Sequence, residues 1–88
     1  MTAVRHLTAD RLEGIASLLD ELRAIDGLTE KRPGVFYRGS RAWVHFHEDG
    51  DDIYADARMT ARADFERTRV TTKTGQRKLV AAVRRSVR

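Results

Sequence analysis

Residues 36–58 read Phe36-Tyr37-Arg38-Gly39-Ser40-Arg41-Ala42-Trp43-Val44-His45-Phe46-His47-Glu48-Asp49-Gly50-Asp51-Asp52-Ile53-Tyr54-Ala55-Asp56-Ala57-Arg58. Side chains on a strand point alternately to opposite faces, so alternation of apolar and polar residues marks a sheet with one buried side. With Asp49-Gly50 as the two-residue turn of a hairpin, Phe46 falls opposite Ile53, Val44 opposite Ala55 and Ala42 opposite Ala57. That side is wholly apolar. The other side carries Trp43, His45, His47, Asp52, Tyr54, Asp56 and Arg58, a surface with chemistry on it.

Working outward, Val35-Phe36-Tyr37-Arg38 reads as a further strand that turns back at Gly39-Ser40. Placing Tyr37 opposite Ala42 puts Val35 and Tyr37 on the core side and pairs Phe36 with Trp43 on the other. Glu30-Lys31-Arg32-Pro33-Gly34 reads as a loop punctuated by proline and glycine. Downstream, residues 64–70 read as a charged edge strand, because Phe65, Arg67 and Arg69 alternate with Glu66, Thr68 and Val70.

Helices flank the strands. Thr8 is a fitting N-cap, Asp10 lies in the first turn, and Leu7 with Leu12 has the spacing of a hydrophobic staple. Leu12, Ile15, Ala16, Leu19, Leu22 and Ile25 repeat at helical spacing up to Gly27, which predicts one helix over residues 9–26. A second helix starts from Thr72 or Thr74 and carries the stripe Leu79, Val80, Val83, Val87. The expected fold is α+β: a two-layer sandwich, α-β-β-β-β-α, with N- and C-terminal helices on one face of a four-stranded antiparallel sheet. The chain reads as a single domain over residues 1–88.

The absence of cysteine excludes disulfides, thiolate metal sites and cysteine nucleophiles. No apolar run approaches the length of a membrane span, and the first residues lack the apolar core of a signal peptide, so a cytoplasmic protein without a membrane partner is expected. The net charge of +4 is unevenly spread: residues 59–88 hold nine Lys/Arg against two Asp/Glu. Arg77, Lys78, Arg84, Arg85 and Arg88 fall on the second helix and are the candidate contacts for nucleic acid or an acidic protein partner.

His45 and His47, two apart on one strand face, are placed to share a metal ion, with Asp52 or Asp56 across the hairpin as the carboxylate. His45, His47 and Asp56 are thus the candidate metal set, of the two-histidine, one-carboxylate kind. Phe36, Trp43 and Tyr54 form an aromatic group on the same face, with Arg38, Arg41 and Arg58 nearby. Such a surface suits either stacking on single-stranded nucleic acid or closure against a second copy of the chain. Glu48-Asp49-Gly50-Asp51-Asp52 lacks the ligand spacing of a calcium loop, and Thr71-Thr72-Lys73-Thr74-Gly75 is no phosphate-binding loop. No nucleophile motif or cofactor fingerprint is present.

The run FYRGSRAWVHFHEDGDDIYADAR, followed by FERTRV and a basic helix, resembles small bacterial domains that pair an HFHED-type hairpin with a Tyr-Ala-Asp strand. The likeness covers residues 34–88 and implies no established activity. The element order also resembles a shortened MmcQ/YjbR-type domain. The sequence therefore leads to a binding or self-associating domain, more a homodimer than an enzyme and without a cofactor. The face Phe36, Trp43, His45, His47, Tyr54, Asp56 and Arg58 is its ligand or dimer surface. The alternatives are a metal- or ligand-dependent enzyme using His45, His47 and Asp56, and nucleic-acid binding through the basic helix.

Overall fold

The computed structural model describes residues 5–88. Thr8 Oγ1 accepts from Arg11 N at 3.4 Å and opens α1, Ala9–Gly14, which gives way at Ile15 to α2, Ala16–Arg23. The single helix expected over 9–26 is therefore two. Gly14 stabilises a helix poorly, and Ile15 leaves helical geometry at φ −116° and ψ 27° while sinking into the core. The break lets Arg11 on α1 reach the tip of the central hairpin. There Arg11 donates to the carbonyls of Gly50 (2.9 Å) and Asp51 (3.4 Å) and lies 3.6 Å from buried Glu48.

Four strands were expected; the sheet has a five-strand antiparallel path plus a short additional pairing. Before the helices, β1 (Arg5–His6) pairs with the far half of β4. The others are β2 (Thr29–Arg32), β3 (Val35–Arg38), β4 (Arg41–Asp49), β5 (Asp52–Arg58) and β6 (Phe65–Arg69), in the spatial order β2-β3-β4-β5-β6. The segment expected to be a loop is β2 in large part. Its residues are polar because it lies at the sheet edge. Glu30 accepts from Arg23 on α2 and, at 2.9 Å, from the Gly34 amide, which fixes the turn into β3.

The central hairpin turns one step later than expected. Asp49 pairs with Asp52, so Gly50 (φ 62°) and Asp51 form the loop, and Phe46 faces Ala55 rather than Ile53. A shift of two residues preserves which side chains share a face, whereas a shift of one would have exchanged them. Val44, Phe46, Ile53, Ala55 and Ala57 accordingly lie in the core.

At Trp43 the alternation fails. Phe36 pairs with Val44 and Tyr37 with Ala42, so Trp43 is an extra residue on β4, a β-bulge. Trp43 and Val44 are consecutive and both buried, at 1% and 0% exposure, and Phe36 is buried with them. The indole Nε1 donates to Ser86 Oγ at 3.0 Å, and Ser86 Oγ donates to the Val83 carbonyl at 3.0 Å. Tyr37, expected in the core, is only half-buried and packs under Lys31 Nζ, 4.5 Å from its ring centre.

The chain leaves β6 through a tight junction. Val70 N donates to Ile53 O at 2.8 Å, Ile53 N to Thr71 Oγ1 at 2.9 Å, and Gln76 Nε2 to Val70 O at 3.0 Å. Thr72 then caps α3 (Lys73–Ser86) by accepting from Gly75 N at 3.4 Å. Leu18, Leu19 and Leu22 of α2 and Leu79, Val80 and Val83 of α3 complete the core with the sheet residues. The fold is α+β, with helices at both ends and the sheet between them. Among the described residues no helix is long and apolar enough to cross a membrane.

Candidate functional site

The sheet face turned away from the buried side chains of α2 and α3 is built from alternate residues of β4, β5 and β6. Register sets two rows across it: His45 opposite Asp56 opposite Arg67, and His47 opposite Tyr54 opposite Arg69. Phe65 lies opposite Arg58 at one end. Neighbours across strands lie close enough for side chains to interact directly, and diagonal neighbours are within reach of long ones.

Asp56 is the centre of this face. It is buried, with 8% exposure. Arg67 grips it with two parallel bonds, Nε to Oδ1 at 2.8 Å and Nη2 to Oδ2 at 3.0 Å. On the diagonal, His47 Nε2 lies 3.2 Å from Oδ2 of the same carboxylate. The hydrogen bonds from Arg67 hold the Asp56 carboxyl below its ordinary 3.8. Desolvation opposes that shift, and the charge of Arg67 and the proximity of His47 and His45 add to it. Arg67 is raised in return, chiefly by its hydrogen bonds to Asp56.

The two imidazoles are held from the other side by aromatic contacts. His45 meets His47 edge-on with ring centres 4.7 Å apart, and meets Phe65 in the same manner at 4.6 Å. Arg58 lies over the Phe65 ring at 4.4 Å, while its Nε donates to Ala42 O (3.0 Å) and its Nη1 to Ala63 O (2.7 Å). Arg58 is thereby a brace for the aromatic wall. Tyr54 is half-buried beside Arg67, whose guanidinium lies 5.9 Å from its ring centre.

One ligand atom from each of His45, His47 and Asp56 falls within a sphere where all lie within 4.8 Å of one another. Two ligands about 2.0–2.1 Å from a tetrahedral ion stand about 3.3 Å apart. The 3.2 Å between His47 Nε2 and Asp56 Oδ2 already meets that span, and the His45 donor lies within 4.8 Å of both. The donor set, two nitrogens and one carboxylate on rigid strands, fits a divalent transition metal. Asp52, the other carboxylate across the hairpin, is engaged elsewhere by Arg69 Nε at 2.9 Å and by the Thr71 hydroxyl at 3.1 Å.

Two residues expected on this face are absent from it. Phe36 and Trp43 are in the core because the bulge turns Trp43 inward and shifts the β3 register with it. What takes their place is Phe65 and Arg67. Their alternation was visible in the sequence, but their register against β5 was not, because the connection over residues 59–64 carries no glycine turn signature that would fix it. Of the aromatic surface expected for stacking or dimer closure, Tyr54 remains, and Phe65 is covered by Arg58 and His45.

The basic residues of α3, with Arg88 just beyond its end, divide between two sides of the helix. Arg77, Lys78, Arg84, Arg85 and Arg88 are all exposed. Lys78 and Arg85 line a groove beside β6, whereas Arg84 and Arg88 border a shallower depression with Ala24, Ile25 and Asp26.

No family model, curated protein sequence or solved structure matches the chain.

Proposed function

We propose that the chain is a small metal-binding domain in which His45, His47 and Asp56 hold a divalent transition-metal ion on the open sheet face. The observation that carries this reading is the convergence of the three donor atoms within 4.8 Å on two adjacent strands. Arg67 fixes both oxygens of Asp56 by hydrogen bonds, the arrangement by which outer residues orient a ligating carboxylate. The same contacts keep that carboxylate ionised, which removes proton competition from one of the three ligands.

A bound dication would act as a Lewis acid there. With one carboxylate in the ligand set and a guanidinium beside it, the occupied site carries net positive charge. Its remaining positions therefore favour water or a small anion.

The test is titration of tag-free protein with zinc chloride followed by calorimetry, and with cobalt(II) followed by visible absorption. One equivalent is expected to bind, with the intense d–d bands of a four- or five-coordinate cobalt ion, and binding is expected to weaken as pH falls because imidazole must be neutral to ligate. His45→Ala and Asp56→Asn should each reduce affinity by at least tenfold. Absence of binding at millimolar zinc, or unchanged affinity in both variants, refutes the proposal.

A further inference from the structure

β6 is the last strand of the sheet: among the described residues it pairs with β5 alone. Its outer edge therefore carries backbone N–H and C=O groups facing away from the ladder, open along Phe65 to Arg67, while the first turn of α3 at Gly75 covers the Arg69 carbonyl. Beside that edge runs a groove of about 520 Å³. One wall is β6, with Arg67, Thr68 and Arg69; the other is α3, with Thr74, Gly75, Lys78, Ala82 and Arg85. Both walls carry cations. Arg67 and Arg69 each spend part of their guanidinium on Asp56 and Asp52, while Lys78 and Arg85 make no ion pair within the described residues. Glu66, the acidic residue of β6, does not line the groove.

We infer that this groove docks an acidic, extended segment of a partner protein, which adds alongside β6 as a further strand. An edge strand offers the backbone ladder by which extended peptides are bound, with side-chain contacts on alternate residues supplying selection. Acidic side chains on one face of the added strand would meet Lys78 and Arg85, and those on the other would meet Arg67 and Arg69. Lys78 and Arg85 are seven residues apart on α3, about 10 Å at 1.5 Å per residue. Like-facing side chains on a strand repeat about every 6.8 Å, so the two cations are too far apart for a single acidic side chain and each takes its own acidic residue of the guest. Cations on both walls also repel basic strands and a second copy of β6 itself, and they favour an acidic sequence over a neutral one by attraction.

Single-stranded nucleic acid is the competing anionic guest. It is the poorer fit, because no aromatic side chain lines the groove and a nucleic-acid channel gains its non-ionic affinity from stacking.

The full chain is to be titrated with three labelled probes at low and physiological salt: a decapeptide alternating Glu and Thr, its Lys/Thr counterpart, and a ten-nucleotide oligothymidylate. Fluorescence anisotropy reads affinity, and amide chemical shifts read location. The Glu/Thr peptide is expected to bind with its largest shifts at the amides of β6. Prolines at its central positions should abolish binding, since they remove the backbone donors, and Lys78→Glu with Arg85→Glu should weaken it at least tenfold. Circular dichroism of the doubly substituted chain checks that it is folded. Oligothymidylate binding as tight as the peptide, unchanged affinity in the charge-reversed or proline-containing pairs, or shifts confined to other strands would each overturn the inference. Metal loading is not involved, so failure here leaves the His45/His47/Asp56 reading untouched, and failure there leaves this one standing.

Discussion

Replacing Trp43 by alanine tests the whole division of the sheet into its two faces. If alternation ran unbroken through β4, Trp43 would stand on the open face beside His45, and its removal would cost no more than about 0.5 kcal/mol, as for most surface positions. The structure instead places the indole at 1% exposure between β4 and the last turn of α3. Truncating a buried aromatic removes its transfer free energy and leaves a cavity, together about 3–5 kcal/mol. A chain of 88 residues holds about 4–13 kcal/mol of stability in total, so this one change should consume a large share of it. Ser86→Ala should cost about 1–3 kcal/mol, because it strands the buried indole N–H without an acceptor. In Trp43→Phe/Ser86→Ala the second cost should largely vanish, since the donor is already gone. Urea unfolding followed by far-ultraviolet circular dichroism measures all four proteins. The wild type has a single tryptophan, so its fluorescence gives an independent check: blue-shifted emission, poorly quenched by acrylamide, that moves to the red on unfolding. A cost below about 1 kcal/mol for Trp43→Ala, or red emission from the folded protein, would refute the bulge.

Acid should act through the two carboxylates that arginines hold ionised. Asp56 and Glu30 both have folded-state values below their ordinary 3.8 and 4.5, Asp56 through Arg67 and Glu30 through Arg23. Their contribution is complete above those ordinary values and lost as pH falls through the folded ones. Urea midpoints should therefore decline below about pH 4.5, and the decline should be shallower in Asp56→Asn; an unchanged slope counts against the Asp56–Arg67 pair. Gly75→Ala sets two effects against each other. Alanine favours helix by about 1 kcal/mol, yet its methyl group would run into the backbone carbonyl of Arg69, where neither side can yield without moving α3. Overpacking should win, with a net loss of about 1–3 kcal/mol in the same unfolding assay, and a stabilised variant would contradict the close approach.

Some of this was readable in the sequence because it is local. Thr8 and Thr72 cap helices through residues three positions away, and the apolar stripes of α2 and α3 need only their own periodicity. The hairpin faces from Val44 to Ala57 followed from alternation, and they survived an error of two in the turn because the period of a strand is two. β2 was hidden by its own chemistry. Thr29-Glu30-Lys31-Arg32 carries no apolar face, since an edge strand next to α2 can spend Glu30 on Arg23 rather than on the core. The helix break at Ile15 was hidden for the opposite reason: the apolar repeat continues through it, and only the depth at which Ile15 packs shows that the axis changes.

The bulge explains both what the site lost and what it kept. Inserting one residue between the Tyr37–Ala42 and Phe36–Val44 pairs makes Trp43 and Val44 neighbours on one side. Everything before the bulge on β4 then exchanges faces with respect to everything after it. Tyr37 and Ala42 go outward, Phe36 goes inward, and His45 and His47, lying beyond the insertion, stay where alternation put them. A sequence pattern cannot register this, because Arg-Ala-Trp-Val-His alternates as well with the extra residue as without it. What selects the bulged form is non-local: an indole pointing inward finds the Ser86 hydroxyl on α3, whose own proton is committed to the Val83 carbonyl. The open face is consequently poorer in exposed aromatic surface than unbroken alternation predicts. Its centre is a polar cluster fixed by Arg67 on one side and by Phe65 under Arg58 on the other. Rigid strands, an ionised carboxylate and two braced imidazoles are the conditions under which three donors keep their spacing, and that spacing is what a metal ion would recognise.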